Sequence, residues 1–171
     1  LASSGNLMKV AHRQTFYRQF TDLENGLYLT EHRRCYDSII QYCNKLVYQG
    51  HLEPLRGEPK EAQLVSTMGF VDHESVSQQV GTSKTNIAEA KFICRWIIEN
   101  KERFASKVSI AESIAIITPF KMQEKTIRRE LNNHGLSDIK VGTVHVFQGA
   151  ECNVILFSSV YASNDSSGSK F

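Results

Sequence analysis

The stretch Ile114-Ala115-Ile116-Ile117-Thr118-Pro119 decides the fold of this chain. Its four apolar residues follow one another without polar alternation, which is typical of a strand covered on both faces of a parallel sheet. Pro119 stops the run, and apolar residues then recur at helical spacing over residues 120–132. The stretch therefore predicts a buried parallel strand that is followed directly by a helix.

The segments around this stretch continue the alternation of strands and helices. Residues 139–144 and 154–160 are two further strand candidates. Residues 86–104 carry an apolar stripe at helical spacing, and Asn86 with Glu89 indicates a capping box at its start. Strands that alternate with long helices predict an α/β fold, a parallel sheet flanked by helices.

The amino-terminal part has a less regular pattern. Near-helical spacing over residues 8–20 predicts a helix, and the apolar residues 27–30 predict a short buried strand. Residues 38–48 predict an amphipathic helix that ends near Gly50, because glycine commonly follows the last helical turn.

The connection to the central part predicts a strand at residues 64–71 and a loop over the polar run 72–81. The length of the chain suits one domain over residues 1–171. Its last residues, 162–171, have the composition of a flexible tail.

Composition excludes some classes of protein. Twenty basic side chains against 18 acidic ones give a net charge of +2, so that any contact with nucleic acid must be local. No apolar run approaches the roughly 18 residues of a membrane span, and we expect no membrane partner. Four scattered cysteines without a C-x-x-C pair predict reduced thiols in an intracellular protein. We expect a cytoplasmic location, or a nuclear one if the protein is eukaryotic.

The segment Thr143-Val144-His145-Val146-Phe147-Gln148-Gly149-Ala150-Glu151 lies between two predicted strands, near an edge of the sheet where α/β proteins bind ligands. Thr143 and His145 offer donors for a phosphodiester, and Gly149 lets the backbone approach a phosphate. Glu151 can accept a hydrogen bond from a ribose hydroxyl or a metal-bound water. A polar turn between two strands would carry the same residue types, and the residues alone leave both interpretations open.

This segment resembles motif V of superfamily 1 helicases, T-x-H-x-x-Q/K-G-x-E, at all five fixed positions. Residues 29–52 resemble the L-x-x-Q-Y-R-M and Y-x-G-x-L segments of the Upf-like branch of that superfamily. Residues 81–90 and 116–123 resemble two more segments of the branch, G-T-S-x-x-N-x-x-E-A and I-I-T-P-Y/F-x-x-Q. The four matches follow in order along most of the chain.

The resemblance implies a RecA-like fold of the P-loop NTPase class, the second or C-terminal motor domain of a helicase, without a Walker A of its own. Motif VI of the family would follow Phe171. The implied partners are single-stranded DNA or RNA and an N-terminal RecA-like domain, which would share ATP and Mg²⁺ with this one; the fragment alone would be inactive. Because the excess of basic residues is small and both Arg33 and Cys35 depart from the family segment, a non-catalytic RecA-like binding or regulatory module is the alternative function.

The resemblance also implies roles for individual residues. Arg34 would be an arginine finger that reaches the γ-phosphate of ATP across the domain interface. The implied nucleotide contacts are Gly149 and Glu151. The implied nucleic-acid contacts are Thr118, Thr143, His145 and Gln148. No residue is implied as a metal ligand.

Simpler interpretations of several residues stay open at this level. Arg34 could be a surface arginine that pairs with Glu31, and Thr118 could merely end a strand. Gln123 could reach a bound strand or face solvent. Lys84 lacks the glycine pattern of a Walker A loop, and we interpret it as a loop lysine.

Overall fold

A computed structural model describes residues 7–59, 66–104, 109–147 and 150–165 of the chain. They fall into two compact units, residues 1–70 and 71–171, and each unit is described by itself. The expectations of one domain and of a flexible tail stay predictions.

The first unit contains two helices and a pair of very short strands. Helix α1 spans Leu7–Gln14, and helix α2 spans Asp37–Val47. Strand β1 (Glu31–His32) pairs in parallel with strand β2 (Glu53–Pro54). Both helices predicted for this part of the chain are confirmed, the first over a shorter range.

Helix α2 ends where the sequence predicts. Gln49 and Gly50 have φ angles of 52° and 88°, and the Gly50 N–H donates to the Asn44 carbonyl at 3.1 Å. The buried side chain of Asn44 also exchanges two hydrogen bonds with the backbone of Leu52, at 2.8 and 2.9 Å. The end of α2 is therefore tied to the segment that leads into β2.

The buried strand predicted at residues 27–30 is wrong. Leu27 is 79% exposed and Leu29 is 94% exposed, and strand β1 begins only at Glu31. An apolar run becomes a buried strand only where another layer covers it. Among the described residues of this unit, no layer covers the two leucine side chains, and pairing with β2 is limited to backbone groups.

The second unit begins with a hairpin that the sequence did not predict. Strand β3 (Gln78–Val80) pairs antiparallel with strand β4 (Ser83–Thr85). Gly81 has a φ of 59° at the first position of the two-residue turn, as short hairpin turns require. The predicted loop over residues 72–81 is therefore wrong at its end, where β3 begins. The sequence did not indicate this strand, because all three of its residues are exposed and show no apolar alternation.

The strand predicted at residues 64–71 is also wrong over the residues that the structure describes. Residues 66–71 contain no strand, and residues 64 and 65 lie outside the described part of the chain.

The rest of the second unit is the predicted α/β arrangement. The elements are α3 (Ile87–Phe104), α4 (Ile110–Ser113), β5 (Ile114–Ile117), α5 (Lys121–Asn133), β6 (Lys140–Gly142), a 3₁₀ helix (Val144–Phe147) and β7 (Val154–Phe157). The sheet order is β6-β5-β7, and both pairings are parallel. The predicted order of strand, helix, strand and strand is confirmed.

The core of this unit is formed by buried residues of the sheet and of helices α3 and α5. Ile114, Ala115 and Ile116 of β5 are fully buried, as the run without alternation predicts. Helix α3 packs against α5, and both contribute fully buried isoleucines. Trp96 of α3 is half-buried, with its ring centroid 5.7 Å from that of Phe104.

Candidate nucleotide and nucleic-acid interface

The carboxyl edge of the parallel sheet brings several polar residues together. Thr118 follows β5, Thr143 follows β6 and Ser158 follows β7. The Thr118 N–H donates to the Gly142 carbonyl at 3.1 Å, and the Ser158 N–H donates to the Ile117 carbonyl at 2.8 Å. The sequence-predicted residues Thr118 and Thr143 thus follow neighbouring strands at the edge where α/β proteins bind ligands.

Thr118 is fully buried at this edge. Its hydroxyl accepts a 3.4 Å hydrogen bond from the Phe120 N–H, directly before α5 begins at Lys121. The side chain therefore serves the transition from strand to helix in this structure. A contact between Thr118 and nucleic acid stays a prediction.

The segment that resembles motif V forms a single turn of 3₁₀ helix rather than an extension of β6. The Thr143 carbonyl accepts from the Val146 N–H at 2.9 Å. Thr143 is half-buried, whereas His145 and Glu151 are exposed. Gln148 and Gly149 lie outside the described residues, so their predicted contacts are not placed.

Gly142 allows this turn to pack closely against the end of β6. A Cβ atom at position 142 would lie 2.9 Å from the Cβ of Val146 and 3.1 Å from both of its methyl carbons. Contacts that short would force the 3₁₀ helix to move. Gly142 thus helps to set where His145 lies, a role that sequence reasoning missed because the close approach is visible only in three dimensions.

Gln123 proves to be the centre of a buried polar network. Its amide nitrogen donates to the Asn86 carbonyl at 3.1 Å and to the Ser158 hydroxyl at 3.0 Å. Its amide oxygen accepts from the Asn86 N–H at 2.7 Å and from the Thr85 hydroxyl at 3.0 Å. Gln123 is fully buried, so it does not face solvent, and it joins β4, the start of α3 and the end of β7.

The predicted capping box at the start of α3 is confirmed in one of its two halves. The Asn86 side-chain oxygen accepts from the Glu89 N–H at 3.0 Å, as an N-cap residue does. Glu89 does not complete the box, because the Asn86 N–H is bonded to Gln123. The Glu89 carboxylate accepts instead from the Val160 N–H at 3.0 Å, beyond the end of β7.

Burial raises the pKa of the Glu89 carboxyl above its ordinary value, although hydrogen bonds from Val160, Ser158 and Ser159 and the nearby His73 oppose the shift. The Val160 that it holds is fully buried and has a φ of 72°, a conformation that a β-branched residue rarely adopts. The Asn86 amide also donates to the Val160 carbonyl, at 3.3 Å. Asn86 and Glu89, at the start of α3, therefore hold Val160 in a strained backbone conformation just after the end of β7.

Lys84 is placed in strand β4, so its interpretation as a loop lysine is wrong. Its ammonium group bonds to the Asp165 carboxylate at 2.5 Å and lies 4.5 Å from the centroid of the Tyr161 ring. The hydrogen bond from Lys84 lowers the pKa of Asp165. Tyr161 in turn meets Phe120 edge to face, with 5.7 Å between centroids.

Arg34 belongs to the first unit and lies in the exposed connection between β1 and α2. The neighbouring Arg33 forms the ion pair with Glu31, at 2.9 Å. The Arg34 carbonyl accepts a hydrogen bond from the Arg56 guanidinium, and that guanidinium lies 4.4 Å from the centroid of the Tyr36 ring.

Two features are not found in the described part of the chain. It contains no group of three or more His, Cys, Asp or Glu side chains that could hold a metal ion. No helix there has the length and apolar character needed to cross a membrane.

Comparison with known proteins identifies the family. A family model described as an AAA domain matches residues 11–170. The human RNA helicase Mov10l1 is 42% identical over 80 residues, which are 47% of this chain and 6% of that protein. A human probable helicase with zinc finger domain is 30% identical over 139 residues, 77% of this chain and 7% of that protein.

A third relative extends the similarity over most of the chain. The probable RNA helicase armi of Drosophila melanogaster is 28% identical over 163 residues, which are 82% of this chain. The chain spans only 6% to 14% of the length of these three relatives. The family match over nearly the whole chain, together with the parallel α/β sheet, shows that the chain belongs to the Upf-like branch of the superfamily 1 helicases.

Proposed function

We propose that this chain is the second motor domain of an ATP-dependent superfamily 1 helicase, which supplies an arginine finger and part of the grip on a single strand. The observation that carries the proposal is the position of Arg34, at the arginine of the family segment and on an exposed connection. A planar guanidinium on such a connection suits contact with phosphate oxygens across a domain interface.

The ATP site in this proposal is shared between two domains. Arg34 contributes positive charge to the γ-phosphate during phosphoryl transfer, while Gly149 and Glu151 contact the nucleotide. The described residues contain no group of three or more side chains that could hold a metal ion by themselves. As the family resemblance implies, the N-terminal RecA-like domain shares ATP and Mg²⁺ with this chain in our proposal, and this chain by itself does not hydrolyse ATP.

The nucleic-acid grip in this proposal lies at the carboxyl edge of the sheet. His145 is exposed there and Thr143 is half-buried, and both can donate hydrogen bonds to phosphate oxygens. Gln148 and the backbone near Thr118 complete the contact. We propose RNA as the strand, because two of the relatives are named RNA helicases, and 5′-to-3′ movement, as the Upf-like resemblance implies.

We also propose an intracellular location, cytoplasmic or nuclear. All four cysteines are free thiols in the structure, which suits a reducing compartment.

The experiment that tests the arginine finger replaces Arg34 with alanine in the full-length protein. We expect RNA-stimulated ATP hydrolysis to fall by roughly a thousandfold or more, because arginine fingers contribute about that much to the rate of phosphoryl transfer. Binding of single-stranded RNA should be unchanged, since Arg34 is not part of the grip. Retained turnover would contradict the assignment.

A matched control is Arg33→Ala, which removes an exposed arginine from the same connection together with its ion pair to Glu31. Its turnover should stay near that of the unchanged protein, because exposed ion pairs contribute little to stability. If the full-length protein with both arginines folds and binds RNA but hydrolyses no ATP, a non-catalytic RecA-like binding module becomes the better description.

A further inference from the structure

The connection that carries Arg34 is fastened to the segment around β2 on both sides. Before Arg34, the Leu55 N–H donates to the His32 carbonyl at 2.8 Å. After it, the Gly57 N–H donates to the Asp37 carboxylate at 2.9 Å, and the Asp37 N–H donates to the Gly57 carbonyl at 3.3 Å. Residues 33–36 therefore form a short connection, and hydrogen bonds hold the chain on both sides of it.

Arg56 holds Arg34, in the middle of this connection. It lies between the two fastening points, and its Nη1 donates to the carbonyl of Arg34. The same guanidinium stacks 4.4 Å from the centroid of the Tyr36 ring, two residues after Arg34. A cation over the face of an aromatic ring is attracted by the negative charge of that face, so Tyr36 helps to hold Arg56 in place.

The bonded carbonyl has a direct consequence for the Arg34 side chain. The direction of the carbonyl is set by the ψ angle of Arg34, and φ and ψ are the only soft backbone dihedrals of a residue. Fixing that carbonyl therefore restricts the orientation of the backbone from which the long arginine side chain departs. The backbone part of the entropy cost of ordering Arg34 is thereby met before ATP binds, while the cost of ordering its side chain remains.

We infer that Arg56, held by the ring of Tyr36, is a positioning residue for the arginine finger Arg34. The inference rests on the proposed function, because it assigns Arg56 a role only through Arg34. Arg56 does not contact the nucleotide in this account. It holds the backbone of Arg34, so that only the side chain has to be ordered when the finger meets the transferring phosphate.

The test measures ATP hydrolysis by the full-length protein in the presence of single-stranded RNA. We expect Arg56→Gln to lower kcat by about tenfold to a hundredfold, the size of loss that a displacement of about 1 Å produces. Tyr36→Leu should lower kcat by about twofold to fivefold, because it removes only the ring that holds Arg56 and leaves the hydrogen bond to Arg34. KM for ATP should stay within about twofold, since ground-state binding is not what the finger supplies. Tyr36→Phe keeps the aromatic ring and should keep the kcat of the unchanged protein.

A double substitution shows whether Arg56 acts through Arg34. In the Arg34→Ala background, measured as single-turnover phosphate release, Arg56→Gln should cause no further loss. A further loss as large as that in the unchanged background would overturn the inference, because Arg56 would then act independently. Melting temperatures of all variants within a few degrees of each other establish that the losses are not caused by unfolding.

The remaining outcomes separate the inference from the proposed function. If Arg34→Ala abolishes turnover while Arg56→Gln and Tyr36→Leu keep it, the finger stands and the positioning role is wrong. If Arg34→Ala keeps turnover, the proposed finger is wrong and the positioning role fails with it. If Arg56→Gln melts far below the other variants, Tyr36→Leu against Tyr36→Phe decides, because that pair leaves Arg56 in the chain.

Discussion

At the scale of single residues, Gln123 carries the clearest consequence for stability. Replacing it with alanine leaves the buried Asn86 N–H without an acceptor and removes three further hydrogen bonds, although the Asn86 carbonyl keeps its bond from the Ala90 N–H and the Ser158 hydroxyl its bond to Glu89. An unsatisfied buried polar group costs about 1–3 kcal/mol. We therefore expect Gln123→Ala to lower the free energy of unfolding by about 2–4 kcal/mol, measured by urea denaturation.

Lys125→Ala is the matched control, because Lys125 is an exposed residue of the same helix. It should change the free energy of unfolding by no more than about 0.5 kcal/mol. Equal effects of the two substitutions would mean that the buried network contributes nothing beyond helix propensity.

Single residues were the part of the site that the sequence predicted least well. Gln123 falls in a recognised segment, yet its partners Thr85 and Ser158 lie 38 and 35 positions away along the chain. The same holds for Lys84, whose partner Asp165 lies 81 positions away. Residue types and local spacing do not predict pairs of residues so far apart in the chain. His145, by contrast, was predicted from a local motif, and it is exposed.

At the scale of elements, the start of helix α3 is expected to make stability depend on pH. The folded-state pKa of Glu89 is raised above the ordinary value of 4.5, chiefly because burial disfavours the charged carboxylate. The folded state then holds a proton that the unfolded chain releases. The stability contributed by protonated Glu89 is fully present below pH 4.5 and is lost as the pH rises through the folded-state pKa.

Glu89→Gln tests this dependence, because glutamine stays neutral and its amide oxygen can still accept from the Val160 N–H. We expect the variant to gain stability relative to the unchanged protein as the pH rises above about 4.5, measured by urea denaturation across a pH series. A difference between the two proteins that is constant with pH would contradict the raised pKa.

Element length explains which parts of the fold were predictable. Helices α2, α3 and α5 and the buried strand β5 have enough residues for apolar spacing to be recognised. Strands β1 to β4 have two or three residues each, too few for any period. Strand β1 pairs with β2 across 22 positions, and the predicted strand at 27–30 was misplaced. The hairpin of β3 and β4 pairs locally but was missed, because the exposed residues of β3 show no apolar alternation.

At the scale of the whole molecule, the core is distributed unequally between the two units. Among the buried hydrophobic side chains described, Ile40 is the only one in the first unit. Since burial of apolar surface is the main stabilising contribution in folding, we expect residues 71–171 to fold when produced alone. Residues 1–70 alone should lack a cooperative thermal transition, measured by circular dichroism.

A cooperative transition of the 1–70 fragment would contradict this expectation. So would a 71–171 fragment that remains unfolded while the complete chain folds, since the first unit would then be required for the core of the second.

The position of Trp96 gives these two units different optical signals. It is the only tryptophan of the chain, and its half-buried ring beside Phe104 belongs entirely to the second unit. Selectively excited tryptophan emission therefore follows the environment of helix α3, while far-ultraviolet circular dichroism also records α1 and α2. Both signals can be recorded in one denaturation experiment. A lower midpoint for circular dichroism than for tryptophan emission would mean that the first unit, which carries Arg34, unfolds before the second unit, which carries the proposed RNA grip.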